Sequence, residues 1–380
     1  VIRVGAYRED GTPGPGTLAE VELDAEVTGP AELWSPEVTV RDERGGALFD
    51  DSGGTSLAVE PAAGGGPLAA AGAERRARAF GVGNTAYRAQ RLLRSAARLL
   101  GRPLPHLTVR IGAHDTPARW GGGHYRLPGG ADPAEPYRIS WAGEVHLGGG
   151  SAYLPGPSGG PYFHAPAHNA AIVCHEVGHH ICRHTADFKV NRLRPPDGQH
   201  SGKNALDEGT ADFLTAITLG TPDIYGWHRG HVPAWDQRRR GLDRRWTMAY
   251  LRPGRGGQAH ANGTVWASAL WSAHRAVLEG GGDGDRFVAM LLRGLVRLGS
   301  GTGAEAAGQV TAAALAEERK RRNQFASLLR EMVAADPPLA PVVLAAMARH
   351  GVHPDGSNRA LRERVRAGAL PGAAAAALAG

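Results

Sequence analysis

Ala171-Ile172-Val173-Cys174-His175-Glu176-Val177-Gly178-His179-His180-Ile181 holds two histidines four residues apart, a glutamate directly after the first, and no proline. Its apolar residues recur at helical spacing, and on a helix residues i and i+4 stand one above the other. The imidazoles of His175 and His179 are therefore expected on one face, where both can reach a single divalent ion. Zinc best suits nitrogen ligands in so small a site. Glu176 lies about 100° round the helix, so it can approach a water on the metal without occupying a ligand position. Two ligands plus a general base make a hydrolytic site in outline. The chain has 17 histidines, which leaves room for a chance pair, so support is needed elsewhere.

A zinc held by two histidines needs a third protein ligand and an open fourth position to do chemistry. Asn204-Ala205-Leu206-Asp207-Glu208-Gly209-Thr210-Ala211-Asp212-Phe213-Leu214 reads as a second helix, with Asn204 as N-cap. Glu208 and Asp212 share a face at i and i+4. Glu208 is the candidate third ligand. Asp212, one turn on, is placed to accept the free ring N–H of a ligating histidine and fix its tautomer. Gly209 sits inside this helix at a cost of about 1 kcal/mol relative to alanine, which close approach to the first helix would justify. The competing reading is an ordinary solvated acidic face.

These segments together resemble the gluzincin zinc metallopeptidases of the thermolysin and fungalysin type. In that group the third ligand is a glutamate on a later helix, followed four residues on by an aspartate. Glu208-Gly209-Thr210-Ala211-Asp212-Phe213 is closer to the fungalysin wording, E-G-x-x-D-F. His260-Ala261-Asn262-Gly263-Thr264-Val265-Trp266-Ala267-Ser268-Ala269-Leu270-Trp271 resembles the segment in which these enzymes carry a histidine that stabilises the tetrahedral intermediate. His260 would stand just before a helix capped by Asn262 and present an N–H to the oxyanion. Gly150-Ser151-Ala152-Tyr153-Leu154 reads as a short edge strand and resembles the strand that holds an extended peptide, which makes Ser151, Ala152 and Tyr153 the expected substrate-binding residues. The order of the four segments is the family's, and the resemblance covers about residues 80 to 355. The connection from His179 to Glu208 is longer than thermolysin's and contains the turn Pro195-Pro196-Asp197-Gly198. The tyrosine that assists the oxyanion in thermolysin has no aligned partner; His200 lies in that neighbourhood.

The resemblance implies an α+β, zincin-type two-lobe fold, with a mixed sheet and zinc helix followed by a mainly helical lobe. It implies one catalytic Zn2+ and endopeptidase activity on peptide or protein substrates, with Glu176 as base, in a monomer acting in a secreted or extracytoplasmic setting. Fold resemblance does not decide substrate. A zinc hydrolase for one processing partner or a non-peptide amide, and a catalytically silent zinc-binding interaction module, stay open as alternatives.

Length and composition agree with a globular chain. Its 380 residues suggest two lobes and an extension. Residues 1–70 alternate between Gly/Pro turns and read as a β-rich region ending in a linker, with Ala/Gly/Pro-rich sequence over 61–73. Residues 71–200 form the expected α+β lobe with the zinc helix, 201–366 the helical lobe, and 367–380 a flexible alanine-rich tail. A helix is expected from Thr85 to Leu100, stopped by Gly101, then a strand over Leu107–Ile111 and strands within 137–147. Further helices are expected near 285–299, 304–334 and 339–349. No apolar run approaches the roughly 18 residues of a membrane helix, and no signal-like segment opens at Val1.

Net charge is +6, and only Lys189, Lys203 and Lys320 are lysines among 43 basic residues. The Arg238-Arg239-Arg240 and Arg319–Arg322 patches read as solvated surface, not as a nucleic-acid groove, because interleaved aromatics are missing. Cys174 and Cys182 stand about 12 Å apart along one helix, too far for a mutual disulfide, and read as core residues. The pair His180 and His184 points elsewhere and lacks a glutamate. Gly281-Gly282-Asp283-Gly284-Asp285 lacks the spacing and trailing glutamate of a calcium loop and reads as a turn, leaving Ca2+ without support.

Overall fold

Leu107, Val109 and Ile111 alternate with Thr108 and Arg110, and the five residues form a strand whose apolar side chains are all buried. In the computed structural model this strand is central to a six-stranded sheet. The structure describes residues 2–4, 19–21, 26–29, 32–42, 71–113, 122–127, 143–149, 153–155, 161–163, 165–193, 200, 202–224, 240–251, 259–300 and 311–356. The 61–70 linker, Ser151, Ala152, the 195–198 turn and the 367–380 tail lie outside them.

The strands, in chain order, are β1 (Ile2–Val4), β2 (Ala19–Val21), β3 (Glu26–Gly29), β4 (Glu32–Trp34), β5 (Val38–Asp42), β6 (Leu107–Ile111), β7 (Gly123–Arg126), β8 (Glu144–Leu147), β9 (Tyr153–Pro155) and β10 (Pro161–Phe163). The sheet order is β3-β4-β5-β6-β8-β7, while β1 with β2 and β9 with β10 form separate antiparallel pairs. β5, β6 and β8 run parallel, and β7 closes the edge antiparallel to β8. Register places Val40, Val109, Val145 and Tyr125 in one row. The next row holds Arg41, Arg110, His146 and His124. One face of the sheet is therefore apolar and the other charged.

Parallel neighbours need a crossover, and β5 is joined to β6 through helix α1 (Ala71–Leu100). Val82, Ala86, Ala89 and Leu93 give it a buried stripe at helical spacing. The helix starts at Ala71, well before the Thr85 expected from sequence. Ala71-Gly72-Ala73 has linker-like composition, yet alanine is the best helix former and the glycine is absorbed. Its end is as expected: Gly101 takes φ +70°, its amide bonds to Arg98 O, and the Arg102 amide bonds to Ala97 O. These are the paired bonds of a Schellman cap.

Contacts divide the chain into two units. One comprises Val1–Ser95, Leu104–His180 and Thr218–Arg239, the other Ala96–Pro103, Ile181–Ile217 and Arg240–Gly380. All described strands belong to the first, and the second is built from helices. These include most of α3 (Ala205–Leu219), then α4 (Ala259–Glu279), α5 (Gly284–Ser300), α6 (Ala312–Arg322), α7 (Phe325–Ala335) and α8 (Ala340–Ala348). α7 approaches α5 closely at Gly294, where a Cβ would stand 2.8 Å from Met332 Cγ. Phe213 and Phe287 meet edge to face at 5.8 Å. The single helix expected over 304–334 is two. It breaks where the Asn323 amide turns back to Arg319 O and Lys320 O. The glycine-rich turn before α5 is a cap, since the Asp283 carboxylate accepts from the Asp285 amide at 2.9 Å. No single helix among the described residues is long and apolar enough to cross a membrane.

Two arginines expected in solvated patches are buried instead. Arg322 donates to Glu318, to the carbonyls of Ala186 and Asp187, and to Gly299 O. A guanidinium with its donors so occupied can be buried without an orphaned group. The second, Arg240, belongs to the site.

Candidate metal centre

Helix α2 (Ala170–Arg183) begins at Asn169, whose side-chain carbonyl accepts from the amides of Ala171 and Ile172 at 2.9 and 3.1 Å. Its approach is fastened to α1, where Asn84 donates to Ala167 O at 2.8 Å and Gly81 leaves room for the His168 ring. The i, i+4 spacing does what the sequence implies. Nε2 of His175 and Nε2 of His179 stand 3.2 Å apart, the rings edge to face. His180 points away from them: its Nε2 lies 2.8 Å from Pro105 O and its Nδ1 3.3 Å from the Tyr125 hydroxyl. It therefore joins α2 to the sheet and adds no ligand.

Glu176 faces the sheet edge. A Cβ at Gly123, the first residue of β7, would stand 2.9 Å from Glu176 Cγ and 3.0 Å from its Oε1. Only glycine lets the strand backbone come so near the carboxylate.

Helix α3 carries the third candidate ligand. Asn204 caps it as expected, accepting from the Leu206 amide at 2.8 Å, and Glu208 is buried in the first turn. Among the described residues, His175, His179 and Glu208 form a group whose ligand atoms all lie within 4.8 Å of one another. Gly209 does serve a close approach, but to a different partner from the one expected. Its missing Cβ would meet Gly263 O of α4 at 2.3 Å. Across the same contact Trp266 Nε1 donates to Thr210 Oγ1 at 3.2 Å.

Asp212 is fully buried, and its carboxylate is gripped by Arg240, with Nε to Oδ2 at 3.0 Å and Nη2 to Oδ1 at 2.8 Å. Arg240 is only 4% exposed. Its solvated reading fails because the partner lies 28 residues away in sequence, beyond any local pattern. The fork geometry satisfies both oxygens together and holds Asp212 one turn beyond Glu208.

His260 lies in the first turn of α4, which begins at Ala259, so Asn262 is inside the helix and is not its cap. His260 Nδ1 stands 2.8 Å from Glu208 Oε2, and its Nε2 lies 2.7 Å from Nζ of exposed Lys203. The ammonium can only donate, so Nε2 accepts and Nδ1 carries the hydrogen facing Glu208. That N–H is poorly aligned with the carboxylate, so the contact is an electrostatic approach more than a formed hydrogen bond. Lys203, one residue before the Asn204 cap, has no marker in the sequence to tie it to His260.

The other expected residues are placed as follows. Tyr153 lies in β9, paired with Phe163 of β10, and not in the large sheet. His200 exchanges backbone hydrogen bonds with the Asn191 side chain, and its Nδ1 is 3.5 Å from Arg319. Cys174 and Cys182 are free and buried. Burial pushes the Cys174 thiol up to about 11. It also raises Cys182, helped by the negative charge of Asp207 and Glu208. No protein-family model matches the chain, and no curated protein is similar to it.

Proposed function

We propose that this protein is a zinc-dependent endopeptidase of the zincin two-lobe type. The observation that carries the reading is the approach of one ligand atom each from His175, His179 and Glu208 to within 4.8 Å. Two imidazoles and a carboxylate are the donor set of a catalytic zinc with one position left open. His175, His179 and Glu208 are each buried. When bound, zinc supplies Lewis acidity that polarises a carbonyl and lowers the pKa of water.

The chain's own residues account for the rest. Glu176 is the general base: it takes the proton of the attacking water and passes it to the leaving amine. An extended peptide pairing with the edge strand β7 would run beside Gly123, and hence past Glu176. β7 thereby joins the segment Ser151–Tyr153 as a candidate strand to hold substrate. His260 is the donor to the developing oxyanion. Glu208 and Lys203 face its two nitrogens; when the exposed Lys203 swings away, Nε2 donates once it has taken up a proton.

The test compares wild type with Glu176→Gln and Glu208→Ala on a mixed peptide library read by mass spectrometry, with zinc content measured in parallel. Glu176→Gln should keep zinc and lose about 10²–10⁴ in turnover. Glu208→Ala should lose zinc. Full activity in Glu176→Gln, or unchanged zinc in Glu208→Ala, would sink the assignment.

A further inference from the structure

We infer that β7 makes this enzyme selective for acidic side chains, with Arg126 as the specificity-determining residue; the inference rests on the peptidase reading above. β7 is the outermost strand of its sheet among the described residues, so a peptide can add to its free side through main-chain hydrogen bonds. Side chains alternate between the two faces. Tyr125 points to the α2 face, its ring 5.7 Å from that of His180. His124 and Arg126 point to the opposite face, where the His124 ring lies 5.2 Å from His146.

That face is basic next to the sheet edge. Its carboxylate is Glu144, the register partner of Arg126, and Glu144 is already committed. It accepts from Arg110 Nε at 2.9 Å and Nη2 at 3.2 Å, and His146 Nε2 lies 3.0 Å away. Among the described residues no hydrogen bond or ion pair holds the Arg126 side chain. Arg126 is half-buried at the edge, with the nearest acid in the sheet taken by others.

An added peptide would present alternate side chains to this face. With its residue beside Gly123 set against Glu176, the side chains one and three residues further on would face His124 and Arg126. The second of these lies about 10 Å along the strand. A cross-strand pair of opposite charge is favoured and a like-charged pair disfavoured. Aspartate or glutamate at the position opposite Arg126 therefore gains a partner that no group of the sheet supplies, and lysine or arginine there meets repulsion.

The experiment uses the zinc-loaded full chain and peptides matched except for Glu, Ala or Lys at each position flanking the cut. Wild type should cleave the Glu peptide about two- to fivefold faster in kcat/KM than the Ala peptide at one position only. Arg126→Ala should erase that ratio. Arg126→Glu should invert it in favour of Lys. Cleavage with no acidic preference, or a preference that survives Arg126→Glu, overturns the inference and leaves the peptidase reading standing. No cleavage of any peptide by zinc-loaded wild type overturns both.

Discussion

Arg240 shows how much of the site depends on one side chain that no local pattern could flag. Asp212 is fully buried, and an ionised carboxylate there is tolerable only with a partner in place. The fork of Arg240 supplies it through two hydrogen bonds. Arg240→Ala should cost about 3–5 kcal/mol, the range for breaking a buried pair by removing one partner, read as a lower urea midpoint. Arg240→Lys keeps the charge but not the fork, so it should recover only part of the loss. A loss below about 1 kcal/mol, the range for an exposed pair, would contradict the placement. The neighbouring positions were legible: His175 with His179, and Glu208 with Asp212, follow from i, i+4 spacing, and Glu176 from standing next to His175, all properties of the helix alone. Arg240 and Lys203 were not, because their partners come from distant segments.

At the scale of elements, α3 and α4 are joined by two glycines. Gly209 and Gly263 let the two backbones touch, and a Cβ on either would overlap the other helix. Gly209→Ala gains about 1 kcal/mol of helix propensity but forces the helices apart at the turn bearing Glu208. The expected balance is a net loss of about 1–3 kcal/mol, as for other overpacked contacts, with weaker zinc binding. A more stable variant with unchanged zinc affinity would show that the contact yields freely. Helices whose caps sit in the sequence were readable: Asn204 and Gly101 mark their ends as expected. The strand over Leu107–Ile111 was also legible from its alternation. Its parallel pairing with Val38–Asp42 was not, because register is set by packing between segments far apart in the chain.

The acid stability of the whole molecule follows from carboxylates held in their charged form. Burial pushes Glu144 up, but hydrogen bonds and charge from His146 and Arg110 outweigh it and bring the group down to about 2. Burial likewise opposes, and arginine partners overcome, the shifts of Glu37 and Glu318 below their usual value. A folded pKa below the unfolded one adds stability that is complete above the unfolded value and lost as pH falls through the folded one. For Glu144 that window runs from pH 4.5 down to about 2. Burial also lowers His350 below its usual 6.5, so a first, shallower loss should begin as the pH drops past that value. Urea midpoints measured from pH 7 to 2 should decline gently, then steeply, and Glu144→Gln should flatten the steep limb. An unchanged limb in that variant would remove Glu144 from the account.

The two cysteines have a practical consequence. Cys174 and Cys182 bracket His175 and His179 on α2, both buried, both with thiols pushed up by burial. A reagent that attacks thiolates must wait until the helix opens, because the native thiols are neither reached nor ionised. The chain thus carries its own stopwatch: the rate at which the thiols are labelled times the opening of the helix that presents His175 and His179, with no residue introduced for the purpose.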